Sequence, residues 1–186
     1  MVIVFIGSSQ SDKIIKASKY LACRYLQPKF SRIYLKYDGE LDGWSNYLAD
    51  FLECVDDMHL MFGMDDFLIS DYIDMDIYYD ALSDFADPDV VCVKLCKSTE
   101  EEHKEYPVTT QLCIWNREYL IWLLRQTNSP WNFERRGSQL FDKKCILRTC
   151  IDYDCNSSTS FRWEGYRLDG LKEEDIEFLK TNNYLL

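Results

Sequence analysis

Two adjacent carboxylates, Asp65 and Asp66, stand directly after the apolar run His59-Leu60-Met61-Phe62-Gly63-Met64. Oxygen donors of this kind suit Mg2+ or Mn2+, and a divalent ion held there would neutralise a diphosphate. Successive side chains on a strand point to opposite faces. A rigid strand would therefore let only one of the two reach an ion, with the other orienting it or ligating through water. The same pair also suits a turn and a helix N-cap, and the residues by themselves leave both readings open. In an open parallel sheet, ligands bind outside the carboxyl ends of the strands. That rule adds Ser8 and Ser9, after the run Val2–Ile6 and Gly7, and Asp38, after Arg32–Tyr37.

Those positions matter only if the flanking runs form a sheet. Val2–Ile6, Arg32–Tyr37, His59–Met64 and Val90–Leu95 read as strands. Between them lie helical stripes: Ile14, Ala17, Leu21, Ala22 and Tyr25, capped by Ser11 or Asp12 and closed by Pro28; Trp44, Leu48, Phe51, Leu52 and Val55; and Ile77, Ala81, Leu82 and Phe85. This β-α-β alternation with unbroken apolar strands predicts an α/β domain with a mostly parallel central sheet. Beyond it we expect a charged mobile loop at Ser98–Tyr106, an extended run Val108–Ile114 and a helix over Asn116–Arg125. An irregular stretch Asn128–Gln139, a strand-like Cys145–Tyr153, a Ser-rich turn Asn156–Ser160 and a last helix over Leu171–Lys180 complete the chain. With no repeat or low-complexity linker, residues 1–186 are expected to form one domain.

Composition sets limits. Of 186 residues, 47% are hydrophobic and 15% aromatic, which supplies a core and excludes disorder. Twenty-one basic against 32 acidic residues leave a net charge of −11, which argues against binding duplex nucleic acid through a broad basic face. No run approaches the roughly 20 apolar residues of a transmembrane segment. The N-terminal run lacks a basic region and breaks early, so no signal peptide is expected and the location is read as cytoplasmic, of a cell or of an infected host cell. The eight cysteines are then expected to be reduced, and their spacing does not match a zinc site.

Four blocks carry a resemblance. Met61-Phe62-Gly63-Met64-Asp65-Asp66-Phe67-Leu68-Ile69 is similar to the acidic-pair segment of small bacterial and viral glycosyltransferases of the GT-A type. Trp44-Ser45-Asn46 resembles the Trp-Ser-Asp opening of the preceding helix in one such group. The stretch from Tyr106 to Leu120 resembles its Leu-Gln-x-x-x-Trp-x-x-x-Tyr-Leu block, through Gln111, Trp115, Tyr119 and Leu120. Ser129-Pro130-Trp131-Asn132-Phe133-Glu134, with Gly137-Ser138 following, resembles its Ser-Pro-Trp-x-Phe-Glu segment. Together the blocks span Gly43 to Ser138. The adjacent Asp-Asp departs from the spaced Asp-x-Asp pattern, leaving open which carboxylate meets a metal.

The resemblance implies a single compact GT-A-like, Rossmann-like domain and a metal-dependent glycosyltransferase. It would move a sugar from a nucleotide-diphosphate donor, a UDP-sugar first, to a hydroxyl on a glycan or other acceptor. Residues 1–97 would form the nucleotide-sugar half and 98–186 the acceptor half. Asp65 and Asp66 would hold Mn2+ or Mg2+, with Ser8, Ser9, Asp38 and Asp65 seating the nucleotide diphosphate. Glu134 would act as general base, with Asp66 as the second catalytic residue, and Gln111, Trp115 and Trp131 would bind sugar. On residues alone, Trp115 also reads as core, Trp131 as loop packing and Glu134 as an ion-pair partner of Arg135 or Arg136.

A rival reading needs no catalysis. Asp65 to Asp89 holds nine Asp and no Lys or Arg, and Asp76, Asp80 and Asp84 fall at i, i+4, i+8. Such a row weakens a free helix unless a cation sits on it, and it could mimic a DNA phosphate backbone. The same row also reads as a solvated face. A third reading is a nucleotide-binding transferase-like fold without turnover.

Overall fold

Of the six described strands in the main sheet, five point their carboxyl ends the same way and one reverses. In the computed structural model, which describes residues 1–8, 12–26, 30–96, 100–151, 153–155 and 170–184, the strands are β1 (Val2–Ser8), β2 (Ser31–Tyr37), β3 (His59–Met64), β4 (Phe67–Ile69), β5 (Val90–Lys94), β6 (Cys113–Asn116), β7 (Lys144–Leu147) and β8 (Tyr153–Cys155). The helices are α1 (Asp12–Tyr25), α2 (Trp44–Glu53), α3 (Met75–Ser83), α4 (Glu100–Glu105), α5 (Arg117–Arg125), α6 (Pro130–Leu140) and α7 (Glu173–Thr181). Ser9, Ser11, Pro28 and the turn 156–160 lie outside the described residues.

The main sheet runs β2-β1-β3-β6-β5-β7. Pairings β1–β2, β1–β3 and β5–β7 are parallel, while β6 is antiparallel to both β3 and β5. The expected α/β domain with a mostly parallel sheet is therefore present. Its strands are apolar on both faces because helices cover both. Ile3 and Phe5 pack with α1 residues Ala17, Leu21 and Tyr25, whereas Val2, Val4 and Ile6 pack with Trp44, Leu48 and Leu52 of α2 and Leu120 and Leu123 of α5.

Several expected elements change. The charged stretch 98–106 contains the helix α4 rather than a mobile loop. The extended run expected at Val108–Ile114 starts later, as β6, which slots between β3 and β5. Cys145–Tyr153 divides into β7 and β8, and β8 pairs with the short β4 directly after the Asp pair. The stretch Asn128–Gln139 is the helix α6, not irregular. Its start obeys local rules: the Ser129 hydroxyl accepts from the Asn132 amide at 3.3 Å and Pro130 occupies the first turn. One turn apart, Phe133 and Gly137 are buried. The Phe133 ring packs against Trp44, Phe62 and Trp115, with centroids 6.1–6.2 Å away. Losing a buried ring of this kind costs about 3–5 kcal/mol, so this contact fixes where α6 lies.

Candidate active site at the strand carboxyl ends

In the parallel pair β1–β3, Ile6 stands opposite Met64. The Asp65 amide then donates to the Ile6 carbonyl at 3.1 Å, drawing the chain across the end of β1. This brings the Asp65 carboxylate over Gly7, where any Cβ would overlap it. Glycine is the one residue that leaves that space open. Asp65 is only 4% exposed, and its Oδ2 and the Oδ1 of Asp66 are buried with no hydrogen-bond partner among the described residues. Burial pushes the Asp65 carboxyl up to about 8, and the Asp66 charge adds to it. Asp66 is pushed up to about 6 by burial, eased by a backbone hydrogen bond and reinforced by the charge of Glu134.

Glu134 reaches this corner from α6. Its Oε1 accepts from the Thr110 amide and hydroxyl, each at 2.8 Å, and from the Thr109 hydroxyl at 3.2 Å. The Met64 amide in turn donates to the Thr110 carbonyl at 3.2 Å. Ser138, one turn after Glu134, accepts from the Val108 amide at 3.1 Å. Residues 108–110 thus fasten α6 to the strand that ends in the Asp pair, and bring Glu134 close enough for its charge to act on Asp66.

Two unpartnered, buried carboxylate oxygens form a donor set that fits a divalent cation. An unpaired buried charge is costly, and an ion removes that cost. Among the described residues there is no group of three or more His, Cys, Asp or Glu that could hold a metal. Mg2+ typically takes one or two carboxylates and completes its shell with water and substrate phosphate, so a pair remains a sufficient set.

The other expected contacts divide. Ser8 pairs in register with Tyr37, which places the ends of β1 and β2 together, and Asp38 is exposed just beyond. Gln111 is half-buried beside the threonines: its amide oxygen accepts from the Cys96 thiol at 3.1 Å and its backbone amide donates to Thr109 at 3.2 Å. Trp131 is 45% exposed in the first turn of α6. Trp115 is a correction. It is fully buried on β6 among Phe133 and Phe141, so its ring cannot lie on a sugar. The sequence reading passed over the roles of Gly7, Thr109 and Thr110. Gly7 stood in the small-residue turn after β1, and Thr109-Thr110 in the block that resembles the transferases, but their tasks depend on tertiary contacts.

The acidic row meets cations from within the fold. Arg148 donates to both oxygens of Asp84 at 2.9 Å, while Lys144 pairs with Asp87 at 2.7 Å and Lys143 with Asp89 at 2.8 Å. Asp84 caps the end of α3 in helical conformation, its amide donating to the Asp80 carbonyl, so the row keeps its spacing with Arg148 seated on its last member. Cys23, Cys54, Cys92, Cys96, Cys113, Cys145 and Cys150 form no disulfide. Among the described residues no helix is long and apolar enough to cross a membrane.

No protein-family model matches the chain, and no curated protein matches it in sequence. Solved structures do match its fold. A mannosyltransferase from Pyrobaculum calidifontis, solved with GDP-Man and Mn2+, superposes with a TM-score of 0.54 at 14% identity, covering 84% of this chain. The chain spans only 57% of that protein's length. A cytidylyltransferase from Leptospira borgpetersenii matches with a TM-score of 0.53 at 10% identity over 99% of this chain and 96% of its own. A glycosyltransferase involved in glycosylation of the major capsid of PBCV-1 gives 0.50 at 12% identity, covering 80% and 81%. The fold is thus a single-domain, nucleotide-diphospho-sugar transferase-like fold of the GT-A and Rossmann-like type.

Proposed function

We propose that this chain is a glycosyltransferase that moves a sugar from a nucleotide-diphosphate donor, with a UDP-sugar the first to try, to a hydroxyl of a glycan or other acceptor. The observation that carries the reading is the convergence of Asp65, Asp66 and Glu134 at the strand ends, with one buried oxygen of each aspartate unpartnered. Asp65 and Asp66 would hold Mn2+ or Mg2+, which when bound supplies positive charge to the leaving diphosphate. The Mn2+ and GDP-Man of the Pyrobaculum calidifontis neighbour support trying both kinds of ligand.

The chain's own residues do the rest. Ser8, Ser9 and Asp38, at the ends of β1 and β2, seat the nucleotide. Glu134 has Oε1 fixed by three donors, which leaves Oε2 to take the proton of the acceptor hydroxyl as it attacks the anomeric carbon. Gln111 keeps its amide nitrogen for sugar hydroxyls, since its oxygen is engaged by Cys96. Trp131 offers a ring face to the C–H side of a pyranose. On this reading residues 1–97 form the donor half and 98–186 the acceptor half. A cytoplasmic setting belongs to the same proposal.

A thermal-shift screen of nucleotide sugars with and without Mn2+ identifies the donor, because a ligand bound only by the folded state raises Tm. With that donor, Asp66→Asn abolishes turnover while circular dichroism stays unchanged. Normal transfer by the variant overturns the reading.

A further inference from the structure

The outer face of α6 borders a groove of about 640 Å3, opposite the turn Leu41–Gly43 that precedes α2. Trp131, Asn132, Arg135, Arg136 and Gln139 line its helical wall, and Asp42 lies on the other side. At about 100° per residue, Trp131, Arg135 and Gln139 form one row, and Glu134 stands about 60° round the helix from Trp131. The groove therefore comes nearest the proposed base at Trp131 and extends round α6 to the face turned away from it, at Asn132 and Arg136. We propose that it is a subsite for an acidic oligosaccharide, the extended acceptor of the transferase. The acceptor role rests on the function proposed above; the binding chemistry does not.

The lining selects that ligand. An exposed indole packs on the apolar face of a pyranose, and the amides of Asn132 and Gln139 can bond neighbouring hydroxyls in both senses. Asp42, which accepts from the Asn128 side-chain amide at 3.2 Å, adds an acceptor for hydroxyl donors. The arginines supply the acidic preference. Arg24, Arg125 and Arg148 are paired with carboxylates, Arg117 donates to the Val55 carbonyl and Arg32 to the Leu26 carbonyl. Arg135 and Arg136 have no such partner among the described residues. Two adjacent guanidinium groups that no described residue answers, in a chain of net charge −11, favour carboxylates brought by the ligand, which they can bind through paired hydrogen bonds.

Isothermal titration calorimetry without cation or nucleotide sugar tests this, using hexagalacturonate and its methyl-esterified form as probes. The acid should bind about tenfold more tightly than the ester, one unit of log K. An Arg135→Gln/Arg136→Gln double variant should bring the acid down to the ester and leave the ester unchanged. Trp131→Ala should abolish binding of both with Tm preserved. Asp66→Asn should leave both affinities unchanged, which separates the groove from the proposed catalytic centre. Equal affinity for acid and ester, no binding of either, or tighter binding of single-stranded oligo-dT than of hexagalacturonate would overturn the proposal.

Discussion

Asp175 and Asp65 are both buried carboxylates, 0% and 4% exposed, and their surroundings differ in kind. Asp175, in the first turn of α7, is fully answered by α1. Tyr25 donates to its Oδ2, Tyr20 reaches Oδ1 at 3.3 Å and Arg24 pairs with Oδ1 at 3.0 Å. The stack of Tyr20 on Phe178, with centroids 3.9 Å apart, completes that joint. Asp65 has a buried oxygen with no partner and a second carboxylate beside it. Burial pushes the Tyr25 hydroxyl up, toward its neutral donating form, whereas it pushes the Asp65 carboxyl up because nothing compensates its charge. The first arrangement binds two helices together. The second costs stability and is suited to a cation.

The comparison can be broken by substitutions that separate stability from turnover. Glu134→Gln keeps the contacts to Thr109 and Thr110 but removes the base, so transfer should fall about 10²-fold with donor binding retained; an unchanged rate removes Glu134 from the mechanism. Asp175→Ala should behave in the opposite way. It strands the buried Tyr25 hydroxyl and removes the contacts of Tyr20 and Arg24 to Asp175, and chemical denaturation should register a loss of about 2 kcal/mol with transfer per folded molecule unchanged. Smaller effects sharpen the corner itself. Thr110→Val deletes one of three donors to Glu134, and Gly7→Ala forces the Asp65 carboxylate aside. Each is expected to cost about tenfold, the former in kcat and the latter in Mn2+ affinity.

A pH series isolates the charge at Asp65 and Asp66. Their folded values, about 8 and about 6, exceed the unfolded value of about 3.9, so the cation-free folded state holds protons that the unfolded chain has released. The stability contributed by this proton uptake is fully present below pH about 4 and is lost as pH rises through 6 to 8. Asp65→Asn cannot ionise. Without cation its Tm should match wild type near pH 4 and exceed it by a few degrees above pH 8. A variant that is less stable than wild type at high pH would place Asp65 with Asp175, among the structural carboxylates.

Much of this was legible in the sequence. The runs 2–6, 32–37 and 59–64 are apolar on consecutive residues because helices cover both sheet faces, and the Asp pair follows the third strand as expected. The stripe of α1 is buried at the residues that its spacing picked out. The insertion of β6 between β3 and β5 was not legible, since strand direction depends on where a distant segment returns. Helix α6 was partly hidden by its polar outer face, although Ser129, Pro130 and the Phe133–Gly137 spacing announced it. The Asp65–Asp66–Glu134 convergence depended on that helix and on the Thr109-Thr110 clasp, neither of which local spacing reveals. Trp115 lies in a block that resembles the transferases, and the structure bears out the core reading that its apolar neighbours allowed over the sugar-binding role that the resemblance implied.

The central claim is that Asp65 and Asp66 take up a divalent cation together with a nucleotide diphosphate. Electron paramagnetic resonance of free Mn2+, titrated with this protein in the presence of UDP, tests it directly. The account predicts one Mn2+ withdrawn from solution per chain by the wild type and none by Asp66→Asn at the same concentrations. Equal uptake by the two proteins, or no uptake by either, would contradict it.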